Sequence, residues 1–329
     1  MPDIAVSITC ITFNQREYIA QAIESFLMQK TNFKYEILIH DDASTDGTTD
    51  ILREYEKKNP DIIKVVYQTE NQYSQGKKIT QTFLYPLCQG KYIAFCEGDD
   101  YWTDPYKLQK QYDYMEAHPD CSMCVHAADI VKADTGQRLK TDSIATKLTK
   151  FYIEDAIKGL GRLISTNSFF YRSEWGMQQP EFRKIGPCGD YPMPILCASF
   201  GYIAYLPDNM AAHRAMANNS LSLAWVKNPE KKYKYNLRYE KMLDAIDEYT
   251  DHKYTGLLEA EHTRLWANYF IAIRDKKTLK EDKYKQYLKS RGLKERIKNC
   301  LTIYCPASVL FIRKITGMIF DMKYKIGKK

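Results

Sequence analysis

Four short apolar runs, separated by stretches of helical spacing, limit what the N-terminal part of this chain can fold into. The runs cover residues 4–11, 35–40, 62–67 and 91–96. Residues 17–29 carry apolar side chains at helical intervals, and we also predict a helix that ends near residue 58 and one over residues 76–88. Strands that alternate with helices build a parallel sheet through right-handed crossovers. The pattern therefore predicts an α/β fold.

Polar residues directly follow three of the predicted strands. They are Thr12 and Asn14 after the first, Asp41 and Asp42 after the second, and Glu97, Gly98, Asp99 and Asp100 after the fourth. In open α/β sheets, ligands bind at the carboxyl ends of the strands. Neighbouring carboxylates repel each other, and a divalent cation that holds a phosphate relieves the repulsion. A solvated acidic turn is the alternative for the last cluster taken alone.

Two common phosphate-binding motifs do not occur in this sequence. It contains neither G-x-G-x-x-G nor G-x-x-x-x-G-K-[ST], which excludes a typical dinucleotide-binding fold and a P-loop enzyme. Phosphates bound here would be neutralised by a metal ion and by scattered basic side chains.

The charge is unevenly distributed along the chain. Residues 274–329 hold 17 Lys and Arg against 5 Asp and Glu, whereas residues 1–273 hold 31 against 36. A mildly acidic body argues against nucleic-acid binding, and a basic C-terminal part suits an anionic surface.

The cysteines and the N-terminus point to a reducing compartment. The nine cysteines are odd in number and several lie in apolar runs, while the first strand begins without a preceding signal peptide. We therefore expect reduced thiols and a cytoplasmic protein.

The motifs resemble those of the inverting family-2 glycosyltransferases of GT-A fold, in the bacterial branch that builds surface polysaccharides. The resemblance rests on residues 6–8, Thr12 with Asn14, residues 36–47 and residues 90–102, and it runs over residues 4–130. It implies a mostly parallel central sheet flanked by helices. It also implies transfer of a hexose or N-acetylhexosamine, with inversion, from a UDP-sugar to a saccharide or lipid-linked oligosaccharide.

The resemblance implies a donor site built from the strand ends. The implied donor-binding residues are Thr12, Asn14, Asp41, Asp42, Asn71, Lys78, Glu97, Gly98 and Arg214. The first four would hold the nucleotide base, with a turn and helix cap as the alternative for Asp41 and Asp42. Glu97 would approach the ribose, and Gly98 would leave room for the sugar. Arg214 would lie on a loop that closes over the diphosphate.

The resemblance also implies a Mn²⁺ or Mg²⁺ ion and a general base. Asp99 is the implied direct metal ligand, and Asp100 and His213 are further candidates. Asp100 could instead cap a helix, and His213 could be a packed or surface histidine. Asp190, which follows a glycine, maps to the carboxylate that takes the proton of the acceptor hydroxyl. Capping of the following helix is compatible with that role.

We expect residues 1–225 to form the catalytic domain, with nucleotide-sugar binding in 1–130 and acceptor binding in 131–225. Residues 226–329 would form a helical, basic C-terminal extension. From Val309 the apolar residues share one helical face and lysines follow, which suits a helix lying in the plane of the inner membrane surface. Docking to a partner or to a second copy in a homodimer is the alternative.

Two other functions fit parts of the sequence. A sugar-nucleotide nucleotidyltransferase also uses a metal and an α/β sheet, but the glycine-rich basic loop of that class is missing after the first strand. A non-catalytic nucleotide-sugar-binding scaffold would have no need of both Asp99 and Asp190.

Overall fold

A mixed ten-stranded sheet runs through the computed structural model, which describes residues 4–215 and 229–305. Its first four strands are Val6–Thr12 (β1), Tyr35–Asp41 (β2), Ile63–Tyr67 (β3) and Tyr92–Glu97 (β4). They lie in the order β3-β2-β1-β4, and each neighbouring pair is parallel. The helices Ile19–Leu27 (α1) and Thr48–Lys58 (α2) connect the first three strands. The α/β prediction for this part is confirmed.

The prediction of a continuous helix over residues 76–88 is wrong. The segment instead forms a π-helical turn, Thr80–Leu84, followed by a 3-10 turn, Tyr85–Leu87. Pro86 explains the difference, because proline has no N–H for a helical hydrogen bond and its ring crowds the preceding turn.

The second half of the sheet is partly antiparallel. Its strands and helices are Tyr101–Trp102 (β5), Lys107–Ala117 (α3), Cys121–Lys132 (β6), Arg138–Asp142 (β7), Thr149–Phe151 (β8), Ile153–Ile157 (α4), Phe170–Arg172 (β9), Ser173–Gly176 (α5), Glu181–Ile185 (α6), Pro192–Ala198 (α7) and Tyr202–Ala215 (β10). Strand β9 joins β4 to β6 by antiparallel pairing with both, and β10 pairs with β6 in parallel.

Strand β10 is longer than the sequence predicts. The apolar run suggested a strand that ends at Pro207, but the strand continues to Ala215 through register shifts on both sides of Asn209. Such irregularities tolerate a proline, because the bulged residue needs no ladder hydrogen bond. His213 and Arg214 therefore lie on a strand, and the prediction of a loop at Arg214 is wrong.

Strands β4, β6 and β10 serve two cores, one on each face of the sheet. Ile93, Met123 and Ile203 pack into the core that contains α4, α6 and α7. Their neighbours Ala94, Cys124 and Ala204 pack into the core that contains α1, α2 and α3. Successive side chains of a strand point to opposite faces. The sheet is thus a middle layer between two layers of helices.

Within the described residues 229–305, four α-helices follow the sheet: Pro229–Tyr249 (α8), Thr255–Ile273 (α9), Asp282–Ser290 (α10) and Leu293–Tyr304 (α11). The helical spacing of apolar and aromatic residues predicts the first two, over residues 229–249 and 255–274. Helix α8 buries Met242 and Ile246 in the same core as β4 and β6. The basic segment predicted as one helix over residues 280–298 is split at Arg291 and Gly292, because glycine favours a break in a helix.

The proposed domain boundary at residue 225 and the membrane-facing helix from Val309 lie outside the described residues. Within residues 4–215 and 229–305, none of the helices combines the length and the apolar character that crossing a bilayer requires.

Candidate active site

The polar strand ends meet at one edge of the sheet. Thr12 pairs with Asp41 across β1 and β2, and Ile11 pairs with Glu97 across β1 and β4. The Gly98 amide donates to the Ile11 carbonyl over 3.0 Å. The edge that the sequence predicted is therefore formed by these three neighbouring strands.

Asp41 and Asp42 fix the loops around this edge. Asp41 is buried and accepts hydrogen bonds from the Ser44 amide at 3.1 Å and the Thr49 hydroxyl at 2.5 Å. Asp42 accepts from the backbone amides of Gln72 and Tyr73 at 2.7 and 3.0 Å. These contacts do not exhaust the capacity of the two carboxylates to accept hydrogen bonds.

Two asparagines from the donor prediction also make backbone contacts here. Asn14 has a positive φ of 51°, and its side-chain oxygen accepts a hydrogen bond from the Thr45 amide at 2.8 Å. The Asn71 amide nitrogen donates to the Asp42 carbonyl over 3.3 Å. Both side chains therefore shape the loops at the ends of β1 and β2.

Gly98 lies where the end of β4 packs against β1. A Cβ at this position would lie 2.6 Å from Oε1 of Gln15 and 2.9 Å from Cβ of Thr12. The Thr12 hydroxyl itself donates to Gln15 Oε1 over 2.8 Å. A side chain at residue 98 would push the ends of β1 and β4 apart. No sequence pattern indicated the contact that Gln15 makes here.

Asp100 is an internal anchor rather than an exposed acid. It is buried and accepts three hydrogen bonds: from the Asn167 side-chain amide at 3.0 Å, from His213 Nδ1 at 2.9 Å and from the Arg214 amide at 2.9 Å. It thus joins the end of β4 to β10. The bond to Asp100 also occupies one ring nitrogen of His213, so a metal ion could reach only Nε2.

Glu97 and Asp99 face the same edge with different surroundings. The Thr166 hydroxyl lies 2.7 and 2.9 Å from the two Glu97 oxygens. No hydrogen bond reaches the Asp99 carboxylate from another residue in the described segments, 4–215 and 229–305. Burial, followed by the charge of Asp100, raises the pKa of Glu97 to about 8 and the pKa of Asp99 to about 6.

The half-buried Asp99 carboxylate suits a divalent cation. Hard oxygen ligands bind Mn²⁺ and Mg²⁺, and a nearby positive charge relieves the repulsion among the acids. Among the residues the structure describes, no three His, Cys, Asp or Glu side chains are arranged to hold a metal on their own. Magnesium commonly binds through one or two carboxylates together with substrate phosphates. The residues therefore fit an ion that arrives with a diphosphate.

Arg214 lies beneath the acids. Its guanidinium donates to the Asp99 carbonyl and to Gln21 Oε1, and it lies between the rings of Tyr18 and Tyr101, 4.9 and 4.6 Å from their centroids. It is buried. These contacts hold the peptide that carries Asp99.

Asp190 and Glu97 line one cavity of about 650 Å³. Asp190 is half-buried, and its Oδ1 accepts the amide of the next residue, Tyr191, at 3.0 Å. A Cβ on Gly161 would lie 2.1 Å from the Asp190 carbonyl oxygen, so the two backbones touch. The cavity brings the predicted base and one predicted donor residue together.

Lys78 reaches the segment that carries Asp190. Its ammonium donates to the Gly186 carbonyl, and burial, aided by the charge of Arg238, lowers its pKa. Lys78 also lines the cavity. It therefore links the turn after β3 to the loop before Asp190.

Two solved structures share this fold. The structure of S. aureus TarS in complex with UDP matches with a TM-score of 0.55 at 16% identity, over 91% of this chain and 79% of that one. The mannosyltransferase PcManGT from Pyrobaculum calidifontis, in complex with GDP-Man and Mn²⁺, matches with a TM-score of 0.52 at 16% identity, over 98% and 88%. Together with the strand-end cleft, they show that this chain has the GT-A fold, which confirms the predicted fold.

The chain belongs to glycosyl transferase family 2, whose sequence model matches residues 7–175. It is 40% identical over 220 residues to the putative teichuronic acid biosynthesis glycosyltransferase TuaG of Bacillus subtilis, covering 66% of this chain and 81% of TuaG. It is 34% identical over 217 residues to the uncharacterized protein Rv1520 of Mycobacterium tuberculosis, covering 65% of this chain. The match spans only 59% of that mycobacterial protein. The family assignment decides against the nucleotidyltransferase alternative.

Proposed function

We propose that this chain transfers a hexose or N-acetylhexosamine, with inversion, from a UDP-sugar to a saccharide or lipid-linked saccharide in the synthesis of a surface polysaccharide. The observation that carries the proposal is the shared cavity of Glu97 and Asp190, which lets a donor at the strand ends meet an acceptor beside a carboxylate. The similarity to TuaG, a putative teichuronic acid biosynthesis glycosyltransferase, supports the synthesis of a polysaccharide, and the UDP in the TarS structure supports the nucleotide.

The donor nucleotide would lie across the ends of β1, β2 and β4. Asp41 would accept a hydrogen bond from the uracil ring N–H, with Thr12 and Asn14 beside it. Asp42 and Asn71 would shape the far side of this base site through the loop that they hold. Glu97 would approach the ribose. Gly98, which has no side chain, would leave room for the sugar.

A Mn²⁺ or Mg²⁺ ion would bind to Asp99 together with the donor diphosphate, where it neutralises the charge of the leaving group. The Mn²⁺ in the mannosyltransferase structure supports this assignment. Asp100 would hold the chain around the ligand in place, since its oxygens already accept three hydrogen bonds. Arg214 would fix the Asp99 peptide, His213 Nε2 remains a second candidate ligand, and Lys78 would lie near the phosphates.

Asp190 would act as the general base. As the acceptor oxygen attacks the anomeric carbon, its proton passes to the Asp190 carboxylate, and the bond to UDP breaks on the opposite face of the sugar. One carboxylate suffices, because inversion needs no covalent intermediate. The contact between Gly161 and the Asp190 backbone would hold the base in position.

The C-terminal part would bring the enzyme to the inner face of the cytoplasmic membrane. On α11, Leu293, Ile297 and Tyr304 are exposed at helical spacing, with Lys294, Arg296 and Lys298 between them. Exposed apolar residues flanked by lysine and arginine suit an anionic bilayer. A homodimer formed through the same helix is the alternative.

The proposed function is tested by incubating the purified full chain with a panel of UDP-, GDP- and dTDP-sugars. We expect UDP release from one UDP-sugar in the presence of Mn²⁺ and its loss with EDTA. Absence of nucleotide release and of a thermal shift with every donor would contradict the proposal.

A further inference from the structure

The far wall of the cavity carries two arginines that share one carboxylate. Arg162 and Arg264 both pair with Glu261, which is buried; the Arg162 Nη2 lies 3.0 Å and the Arg264 Nε 2.7 Å from Glu261 Oε2. The Tyr239 hydroxyl also donates to Glu261 Oε1 over 3.2 Å. Both arginines line the cavity. We name Arg162, Glu261 and Arg264 the two-arginine cluster.

The two-arginine cluster lies next to the candidate base. Gly161, the residue before Arg162, touches the Asp190 backbone. The Arg162 guanidinium lies 5.5 Å from the centroid of Tyr191, the residue after Asp190. The Tyr191 ring in turn lies 5.2 Å from the ring of Tyr239. A ligand that reaches Asp190 therefore comes close to the cluster.

Positive charge exceeds negative charge on this wall. The two arginines outnumber Glu261, and Lys232 of α8 lines the same cavity with its ammonium 4.7 Å from the centroid of the Tyr235 ring. Burial and the charge of Arg264 lower the pKa of Lys232. Cationic walls of a partly enclosed cavity concentrate anions, and guanidinium groups bind phosphate strongly.

The cluster is separate from the donor edge. Lys232, Glu261 and Arg264 come from α8 and α9, beyond the residues 7–175 that define the family match. The donor edge is formed by the ends of β1, β2 and β4. An anion held by Lys232 and Arg264 would therefore belong to the acceptor, which would reach Asp190 in the same cavity.

We propose that this cavity binds an acceptor that bears a phosphate group, held by Arg264 and Lys232 while the accepting hydroxyl faces Asp190. The proposal rests on the proposed function, whose acceptor it narrows. The phosphate would belong either to the diphosphate of a lipid-linked saccharide or to a phosphodiester of a polymer. Arg162 acts as a positioning residue, because it keeps Glu261 paired and supports Tyr191.

The test measures binding of small phosphate probes to the metal-free full chain by isothermal titration calorimetry. Geranyl diphosphate represents the lipid diphosphate and glycerophosphoglycerol the phosphodiester; geraniol and glycerol are the uncharged controls. We expect one phosphate probe to bind, and Lys232→Gln and Arg264→Gln each to weaken it about tenfold, as for one lost charged hydrogen bond. The probe that binds identifies the source of the phosphate.

Lys234→Gln is the matched control, since Lys234 is an exposed lysine of the same helix that pairs with Glu230 and does not line the cavity. It should bind the probe as the wild type does. Equal binding by all variants, no binding of either phosphate probe, or equal binding of geraniol would overturn the proposal. Lys232 is half-buried on a helix surface, so Lys232→Gln should fold. This variant therefore tests the phosphate site even if Arg264→Gln fails to fold.

UDP release in the presence of Mn²⁺, measured without acceptor, separates this proposal from the proposed function. If the wild type releases UDP but binds no phosphate probe, only the phosphate-bearing acceptor is refuted. If phosphate binding depends on Lys232 and no nucleotide sugar is turned over, the proposed transfer fails and the anion site stands.

Discussion

Asp100 Oδ2 and His213 Nδ1 lie 2.9 Å apart, and this contact joins the acidic end of β4 to β10. Burial by itself would lower the pKa of His213, but the hydrogen bond to Asp100 and the nearby acids raise it to about 9. The His213 imidazole therefore favours its charged form near neutral pH. Asp100 is 1% exposed and its carboxylate accepts three hydrogen bonds, so its main task is to hold this region together.

Replacing Asp100 should destabilise the protein. In Asp100→Asn, the side-chain NH₂ group would face groups that are themselves hydrogen-bond donors. The positive charge of His213 would also lose the buried carboxylate with which it pairs. We expect the free energy of unfolding to fall by about 3 kcal/mol. Urea unfolding monitored by circular dichroism measures the change. Asp99→Asn is the control, because the Asp99 carboxylate is repelled by Asp100 and its loss should leave stability equal or higher.

Replacing Asp99 should instead abolish metal-dependent chemistry. Asp99→Asn removes the carboxylate that fits the cation, so Mn²⁺-dependent UDP release should drop by at least about a hundredfold, comparable to the loss of one strong electrostatic contact in a transition state. A coupled assay for UDP gives the rate. Full activity in this variant would contradict the metal assignment.

Replacing Asp190 should separate binding from transfer. Asp190→Asn keeps the shape but not the basicity, so transfer to the acceptor should fall by about 10²- to 10⁴-fold. Affinity for UDP with Mn²⁺, measured by calorimetry, should stay the same. Asp134→Asn, which alters an exposed turn, is the control for the loss of one carboxylate. Retained transfer in Asp190→Asn would show that another group takes the proton.

The buried Lys107 predicts a pH dependence of stability. Burial lowers its pKa to about 7, against 10.5 for an ordinary lysine. Below pH 7, Lys107 is protonated in both the folded and the unfolded chain, so the folded state bears the full cost of the buried charge. Between pH 7 and about 10 only the unfolded chain carries it, so stability attributable to Lys107 rises with pH, by up to about 1.4 kcal/mol per unit.

The comparison with Lys107→Met isolates this contribution. The difference in free energy of unfolding between the Met variant and the wild type should be largest near pH 6 and shrink towards pH 9, in urea titrations at each pH. The Lys107 ammonium also donates to Gln111 Oε1 at 2.7 Å. Loss of that bond lowers the free energy of unfolding of the Met variant by a nearly constant amount at every pH. Parallel curves would mean that Lys107 keeps its ordinary pKa.

The exposed face of α11 predicts membrane binding. Ile297→Glu places a charge on that face, so co-sedimentation of the full chain with phosphatidylglycerol vesicles should fall several-fold. Leu139→Glu is the matched control, since Leu139 is an exposed leucine on β7. If Ile297→Glu sediments as the wild type does, this helix is not the contact with the membrane.

The sequence predicted that the polar strand ends meet at one edge of the sheet, because the signals for this arrangement are local. An apolar run followed by Thr12, by Asp41 or by Glu97 marks a strand end, and parallel topology brings such ends together. Helices α8 and α9 were predicted for the same reason, because the helical spacing of their apolar residues is visible within a short stretch of sequence.

The missed features depend on contacts between distant parts of the chain. Arg162 and Glu261 lie 99 residues apart in sequence, and no spacing rule links them. The close contacts of Gly98 with Thr12 and Gln15 were not predicted, because they depend on how the end of β4 packs against the end of β1. The extension of β10 beyond Pro207 depends on pairing with β6, which the local sequence does not reveal.

Helices α8 and α9 form a wall of the cavity that is separate in sequence from the sheet edge. The sheet edge that would read the nucleotide lies within residues 7–175, whereas Lys232, Glu261 and Arg264 lie on helices that follow it. If these helices bind the acceptor as proposed, substitutions on them would change which acceptor is chosen without disturbing the strands that would hold the donor.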